Sequence, residues 1–267
     1  MSDWREYPLS GTGRPAQIAL RTPGEVPGLG GHREILVALP PSYRGSSTRY
    51  PVVYMHDGQN LFDAKTSFAG DWGLVDSLNH LADEGVEAIV VAIPNRGTRR
   101  RYEYSPFRDL IHGGGGGERY LEFIVTTLKP LIDGSFRTRP ERDATVIAGS
   151  SLGGLISLYA LYRHAGIFGA AGVLSPALWF ARRAIFRYLA EQPHRPVGRI
   201  HLDAGDDEGP ETLQNLRELR ARLLDAGYVI GRDLSYVEEA GAGHDERAWG
   251  RRFRAALPFL LGAADSA

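Results

Sequence analysis

The chain has 267 residues, a length that suits one large α/β domain or two small ones. Apolar residues make up 43% and charged residues 24%, and the formal net charge of −1 does not suggest a surface for nucleic acid or acidic membranes. The absence of cysteine excludes disulfides, zinc-thiolate sites and a cysteine nucleophile. The N-terminus lacks the apolar segment of a secretory signal, and no run approaches the roughly 18 apolar residues of a membrane span. A cytoplasmic protein without a nucleic-acid or membrane partner is therefore expected.

Apolar runs alternate with helical patterns along the chain. Residues 17–21 and 32–39 predict an antiparallel hairpin, because the Pro/Gly-rich stretch between them carries no helix signal. Later runs are apolar on successive residues, which is typical of strands covered by helices on both faces. The predicted strands are residues 33–39, 51–56, 88–93, 144–148, 169–174, 199–204 and 234–238. The predicted helices are residues 74–81, 121–132, 152–162, 211–226 and 246–261, and Pro258 is expected to kink or end the last one.

This alternation predicts an α/β fold with a mostly parallel central sheet, an antiparallel N-terminal edge and helices on both faces. The fold is expected to occupy residues 1–267 as a single domain, with residues 1–14 and 263–267 as loosely ordered tails. The pentaglycine at 113–117 predicts a mobile loop before a helix that begins near Glu118.

One G-x-S-x-G pattern spans residues 149–153 and has Ser151 at its centre. The neighbouring Ser150 does not fit the pattern, because Ala148 and Leu152 stand where glycine is required. A predicted strand precedes the pattern and a predicted helix follows it, which is the context of the nucleophile turn of α/β-hydrolases. The sequence therefore predicts Ser151 as a nucleophile. The structural alternative is a glycine-rich turn with an incidental serine.

A serine nucleophile needs a base, and His244 follows the last predicted strand, where α/β-hydrolases place their histidine. The alternative is an ordinary surface or core histidine. His56 and His112 precede Ser151 and fit the expected chain order poorly. The acid is expected between serine and histidine, and the sequence alone leaves four candidates there: Asp203, Asp206, Asp207 and Glu208.

An oxyanion hole needs two backbone donors. The N–H of Leu152, directly after the nucleophile, is expected to be one of them. The other is expected from the turn after residues 51–56, where Gly58 permits a tight turn. Aromatic side chains fit either a substrate pocket or core packing, and Tyr104 and Trp179 are taken as substrate-binding candidates. The same two interpretations apply to Trp72, Tyr102 and Phe107.

Eight segments in this order resemble the putative-esterase family of α/β-hydrolases, which includes enterochelin esterases, esterase D, feruloyl and acetylxylan esterases and the mycolyltransferases. They are VALPPSYR at 37–44, RYPVVYMHDGQNLFD at 49–63, RYEYSPF at 101–107, LKPLID at 128–133, IAGSSLGGL at 147–155, SPALW at 175–179, DAGDDEGP at 203–210 and GAGHDERAW at 241–249. The resemblance implies a single α/β-hydrolase domain and a Ser–acid–His triad that uses no cofactor. No metal is expected either, because the sequence has no cysteine or histidine cluster with ligand spacing.

By position, the resemblance makes Ser151 the nucleophile and His244 the base. The family's Gly-x-x-Glu turn maps onto residues 205–208 and favours Glu208 as the acid, and the residue after the Asp-Gly turn, Gln59, supplies the second oxyanion donor through its backbone. A hydrogen bond from His244 Nδ1 to Glu208 is therefore predicted, with Asp206 or Asp207 as the alternative acids.

The expected function is serine carboxylic-ester hydrolysis of a small-molecule ester. Acyl transfer to a sugar or another alcohol is an alternative that uses the same triad. A non-catalytic binding protein on a hydrolase fold is an alternative from a different class.

Overall fold

The computed structural model describes residues 4–7, the backbone of residues 17–21, and residues 33–263. The predicted tails at 1–14 and 263–267 lie largely outside these ranges. The strands are β1 (Arg5–Glu6), β2 (Gln17–Arg21), β3 (Ile35–Leu39), β4 (Val52–His56), β5 (Ile89–Ile93), β6 (Arg108–Asp109), β7 (Gly113–Gly114), β8 (Thr145–Ser150), β9 (Ala170–Leu174), β10 (Arg199–Gly205) and β11 (Leu234–Glu239).

Nine of these strands form one sheet in the order β1-β2-β3-β5-β4-β8-β9-β10-β11. The pairs from β5 through β4, β8, β9 and β10 to β11 are all parallel. The pairs β1–β2, β2–β3 and β3–β5 are antiparallel. This arrangement confirms the predicted mostly parallel sheet with an antiparallel N-terminal edge. The carboxyl ends of the parallel strands therefore meet along one edge, where open α/β sheets bind ligands.

The helices are α1 (Leu74–Asp83), α2 (Arg100–Glu103), α3 (Gly117–Phe123), α4 (Lys129–Ser135), α5 (Leu152–Arg163), α6 (Phe180–Ala190), α7 (Pro210–Asp225) and α8 (Glu246–Leu261). The helix predicted at 121–132 is divided, because a π-helical turn at Ile124–Leu128 separates α3 from α4 just before Pro130. Proline has no N–H with which to continue the α-helical bonding. In contrast, α8 does not end at Pro258 but continues to Leu261. Of the described helices, none is long and apolar enough to cross a membrane.

Core residues lie on both faces of the sheet. Every residue of β5 is buried, and its alternate side chains point into two separate clusters. Ile89, Val91 and Ile93 pack in the cluster that also holds the buried side chains of α5 and α7. Val90 and Ala92 pack in the cluster formed with α1 and α8. This two-sided burial explains why the central strands are apolar at successive positions.

The pentaglycine is closely packed. Its first two residues form β7, which pairs with β6, and α3 begins at Gly117. A Cβ atom at Gly116 would lie 2.3 Å from the Tyr102 ring, and one at Gly114 would lie 2.4 Å from the Phe107 carbonyl oxygen. Lack of space for a side chain therefore accounts for Gly114 and Gly116, whereas Gly113 and Gly115 have positive φ angles of 85° and 92°. The segment forms a strand pair and the start of a helix, where the sequence predicted a mobile loop.

Candidate active site

Ser151 lies in a sharp turn between β8 and α5. Its φ and ψ angles are 58° and −119°, a region that is costly for a residue with a side chain. A Cβ atom at Gly149 would lie 3.0 Å from His56, and one at Gly154 would lie 2.9 Å from the Leu174 carbonyl oxygen. The N–H of Ser151 donates to that same carbonyl at 2.9 Å. Glycines and a hydrogen bond to β9 thus allow the strained turn that presents Ser151.

His244 and Glu208 meet at the carboxyl edge of the sheet. Glu208 ends the short 3₁₀ turn after β10, and His244 lies in the loop between β11 and α8. The predicted hydrogen bond is present, since His244 Nδ1 lies 2.7 Å from Glu208 Oε2. The Glu208 side chain is 1% exposed, whereas that of His244 is 45% exposed. The acid is therefore enclosed while the imidazole ring reaches solvent.

The alternative acids have other partners. Asp206 accepts a hydrogen bond from the Gly241 N–H at 2.6 Å. Asp203 is completely buried and bonds Arg252 and His201. Asp207 is exposed next to Glu208. Of the four candidate acids, Glu208 is the one whose carboxylate contacts the His244 ring.

The charge of Glu208 is stabilised by its neighbours. Burial alone would raise the pKa of Glu208, but hydrogen bonds from His244, Ser175 and the Gly205 N–H outweigh burial and leave that pKa below its usual value. A carboxylate beside Nδ1 favours the histidine tautomer that carries its proton there. The other ring nitrogen, Nε2, then has a free lone pair.

Ser151 and His244 line the same cleft, which has a volume of about 810 Å³. Its other lining residues are Asp57, Gln59, Asn60, Thr66, Ser67, Phe68, Ala69, Asn95, Gly97, Arg100, Ser150, Glu246 and Trp249. Most of these side chains are polar, and the exceptions include Phe68, which is 91% exposed. Sequence reasoning missed Phe68, because an isolated exposed aromatic residue shows no periodic pattern.

The turn after β4 contributes Gln59 to the cleft. Asp57 adopts a left-handed conformation at φ 54°, and a Cβ atom at Gly58 would lie 2.6 Å from the backbone of β5. Arg100 binds both carboxylate oxygens of Asp57, at 2.8 and 2.7 Å. The N–H of Asn95 donates to Gln59 Oε1 at 3.0 Å. The side chain of Gln59 is therefore anchored to Asn95, and its backbone carbonyl oxygen accepts from Thr66 Oγ1 at 2.8 Å. Leu152 begins α5 directly after Ser151.

The two aromatic candidates lie outside the set of cleft-lining residues. Tyr104 is completely buried, and its hydroxyl accepts a hydrogen bond from the Asp57 N–H at 2.9 Å. This burial disagrees with the predicted substrate contact, because the Tyr104 hydroxyl bonds the turn at Asp57 inside the protein. Trp179 is 45% exposed and its ring packs edge-on against His112 at 5.3 Å. A substrate contact of Trp179 stays a prediction.

Stability should depend on pH through His56, which is completely buried at the end of β4 and bonds the Tyr120 hydroxyl at 2.8 Å. Burial lowers the pKa of His56 from 6.5 to about 3. Between these two values the unfolded chain binds a proton that the folded protein does not, so the free energy of unfolding falls as pH decreases. The expected slope from this group is about 1.4 kcal/mol per pH unit.

Urea unfolding of the wild type and of His56→Gln, at about pH 5 and about pH 7, tests this expectation. The variant should lose less stability than the wild type over that interval, whatever its absolute stability. Equal losses in the two proteins would mean that His56 does not contribute.

The parallel sheet, the strained serine turn and the histidine loop after the last strand define an α/β-hydrolase fold. The siderophore hydrolase EstB from Aspergillus nidulans shares this fold with a TM-score of 0.73 at 19% identity, over 96% of this chain and 98% of that one. The enterobactin esterase FES from Shigella flexneri, solved in the presence of enterobactin, shares it with a TM-score of 0.75 at 21% identity, over 92% of this chain and 58% of that one.

A family model described as "Putative esterase" matches residues 27–260, and the chain belongs to this family of ester-hydrolysing enzymes. The chain is 28% identical to YbbA of Bacillus subtilis over an aligned length of 249, and the match covers 87% of this chain and 94% of YbbA. It is 25% identical to an endo-1,4-β-xylanase/feruloyl esterase of Xylanibacter ruminicola, over 78% of this chain and 26% of that protein. The family resemblance predicted from the eight segments is confirmed.

Proposed function

We propose that the protein is a serine carboxylic-ester hydrolase that forms an acyl-enzyme on Ser151, with His244 as base and Glu208 as acid. The observation that carries this proposal is the 2.7 Å hydrogen bond from His244 Nδ1 to Glu208, in a cleft that both His244 and Ser151 line. Because Nδ1 is occupied by the carboxylate, Nε2 is the nitrogen available to the serine proton.

In the first half of the proposed reaction, Ser151 Oγ attacks the ester carbonyl carbon while His244 Nε2 accepts the hydroxyl proton. The resulting tetrahedral intermediate collapses, the bond to the alcohol oxygen breaks, and His244 gives its proton to the leaving alcohol. In the second half, His244 accepts a proton from water, the hydroxide adds to the acyl carbon, and Ser151 leaves with the proton. His244 carries every proton in both halves of the reaction. No atom changes oxidation state, so the proposed reaction requires no reductant or cofactor.

The N–H groups of Gln59 and Leu152 are the proposed oxyanion donors. Three features support this role: the bonded turn that holds Gln59, its position in the cleft, and the location of Leu152 at the N-terminus of α5. Backbone donors that are already oriented stabilise the developing negative charge without reorganisation, and one such donor contributes about 10²–10³-fold in rate in other enzymes.

The proposed substrate is a small-molecule ester. A cleft of about 810 Å³ falls within the range of roughly 300–1,000 Å³ that is typical of small-molecule sites. Side chains such as Gln59, Asn60 and Arg100 line it and offer hydrogen bonds to a substrate. Related proteins include a feruloyl esterase of Xylanibacter ruminicola and a siderophore esterase of Aspergillus fumigatus.

The proposal predicts that kcat/KM rises with pH as His244 loses its proton, because only neutral imidazole accepts the proton of Ser151. Initial rates with a 4-nitrophenyl ester in buffers of constant ionic strength measure this rise. The rates are compared across buffers from about pH 5 to about pH 8. A flat profile across this range would argue against histidine as the base.

A further inference from the structure

The second carboxylate oxygen of Glu208 is surrounded by hydrogen-bond donors. Glu208 Oε1 accepts from Ser175 Oγ at 2.5 Å and from the Gly205 N–H at 2.7 Å. The Arg252 guanidinium lies 3.4 Å from the same oxygen. These contacts are made on the side of Glu208 that faces away from His244, which binds Oε2. Both carboxylate oxygens of Glu208 therefore accept hydrogen bonds, Oε1 from these donors and Oε2 from the imidazole.

The direction of the Ser175 hydrogen bond follows from its other partners. Ser175 Oγ lies 2.9 Å from Trp249 Nε1 and 2.8 Å from an Arg252 guanidinium nitrogen. Indole and guanidinium nitrogens donate hydrogen bonds and do not accept them. A hydroxyl has two lone pairs and one hydrogen, so both lone pairs are used and the hydrogen must point to Glu208. Ser175 can then act towards Glu208 only as a donor.

The donors themselves are rigidly placed. Ser175 is 1% exposed, has φ 40°, and donates its N–H to the Asp203 carbonyl oxygen at 2.8 Å. Arg252 is 4% exposed, and its guanidinium also bonds Asp203 at 2.9 Å and Glu239 at 3.0 Å. Burial and these ion pairs leave neither side chain free to turn away from Glu208.

We propose that Ser175, oriented by Trp249 and Arg252, is a positioning residue that keeps Glu208 ionised and thereby keeps the His244 proton on Nδ1. Because both donors to the hydroxyl are unable to accept, a protonated Glu208 would find no acceptor at Oε1. The inference rests on the proposed function, in which Glu208 serves His244.

The charged groups around this contact come from three elements. Arg252 belongs to α8, and Glu239 ends β11. Asp203, in β10, lies between Arg252 and His201, whose Nε2 is 2.8 Å from its carboxylate. His244 binds Glu208 directly, and Asp206 and Asp207 precede Glu208 in the same turn. Ser175 thus bonds both the buried cation and the acid, which Arg252 also approaches directly at 3.4 Å.

The test is the variant Ser175→Ala, in which alanine keeps Cβ and the same backbone cost at positive φ. With a 4-nitrophenyl ester, kcat should fall by about 10- to 100-fold, the loss expected for one hydrogen bond to a charged group, while KM changes little. Loss of the donor leaves more negative charge on the carboxylate oxygen that faces His244 and so stabilises the protonated imidazole, and the acid limb of the pH–rate profile should therefore move to higher pH. The downfield proton resonance of the His244–Glu208 hydrogen bond should also shift or disappear.

The matched control is Ser157→Ala, which removes another completely buried serine hydroxyl, bonded to the Gly153 carbonyl oxygen at 2.7 Å. It should keep the wild-type pH profile and the wild-type proton resonance. Trp249→Phe removes one donor to Ser175 but keeps an aromatic ring, and it should shift the acid limb in the same direction by a smaller amount. This second variant provides the test if Ser175→Ala does not fold.

A wild-type acid limb and proton resonance in the folded Ser175→Ala protein would overturn the inference. The same result in Trp249→Phe would overturn it if Ser175→Ala is insoluble. Failure of the proposed function would look different, because the wild-type protein would then show no histidine-dependent limb at all.

Discussion

Ser151→Ala is expected to lower kcat for 4-nitrophenyl acetate by about 10⁴-fold or more, because the variant has no hydroxyl to form the acyl-enzyme. The fold should persist, since alanine is smaller than serine and meets the same backbone cost at φ 58°. Steady-state rates and a circular dichroism spectrum measure the two expectations.

The neighbouring Ser150 provides a matched control. It ends β8, lines the same cleft and is 4% exposed, so Ser150→Ala makes the same chemical change one residue earlier. Ser150→Ala should remain within about tenfold of the wild-type kcat, because losing one neutral hydrogen bond costs about 1 kcal/mol. Similar losses in the two variants would show that the cleft, rather than the Ser151 hydroxyl, had been damaged.

Glu208→Gln is expected to lower kcat by about 10³- to 10⁴-fold, with KM nearly unchanged, as for an amide in place of the acid of another triad. Three donors surround Oε1, namely Ser175, the Gly205 N–H and Arg252, so the amide oxygen of glutamine should occupy that position. The amide NH₂ then faces His244 Nδ1 and requires it to accept. The ring proton moves to Nε2, where it blocks acceptance of the serine proton.

Asp207→Asn is the control for this charge removal, because Asp207 is exposed in the same turn. Its kcat should match that of the wild type. The values of kcat and KM for Glu208→Gln and Asp207→Asn, measured with the same ester, test this prediction. A Glu208→Gln protein with nearly full activity would transfer the acid role to another residue or remove it from the mechanism.

Features that depend on neighbouring residues were predictable from the sequence. The strand β5 is apolar at every position because both sheet faces are covered, and the G-x-S-x-G pattern directly predicted the turn at Ser151. The pairing of Glu208 with His244 needed the family resemblance in addition, since four carboxylates share that short segment. The four candidates lie within five residues of Glu208 in the chain, and only their contacts in the fold distinguish them.

Features that depend on distant residues were not predictable. Ser175 and Trp249 are 74 residues apart in the chain, yet they share a hydrogen bond. One sequence signal was available, because Trp249 and Arg252 are three residues apart and so lie on one face of α8, near the loop of His244. Tyr104 was misassigned for a related reason, since its sequence context does not show the depth at which a tyrosine is buried.

The central claim is that Ser151 carries the acyl group, and covalent labelling tests it most directly. The protein is treated with a 4-nitrophenyl phosphonate, an ester analogue that phosphonylates activated serines, and the modified peptide is fragmented by mass spectrometry. We predict one label per chain, located on Ser151 and not on Ser150, with loss of activity in proportion to labelling. No label should appear on Ser151→Ala. A label on a different residue, or full activity after complete labelling of Ser151, would contradict the account.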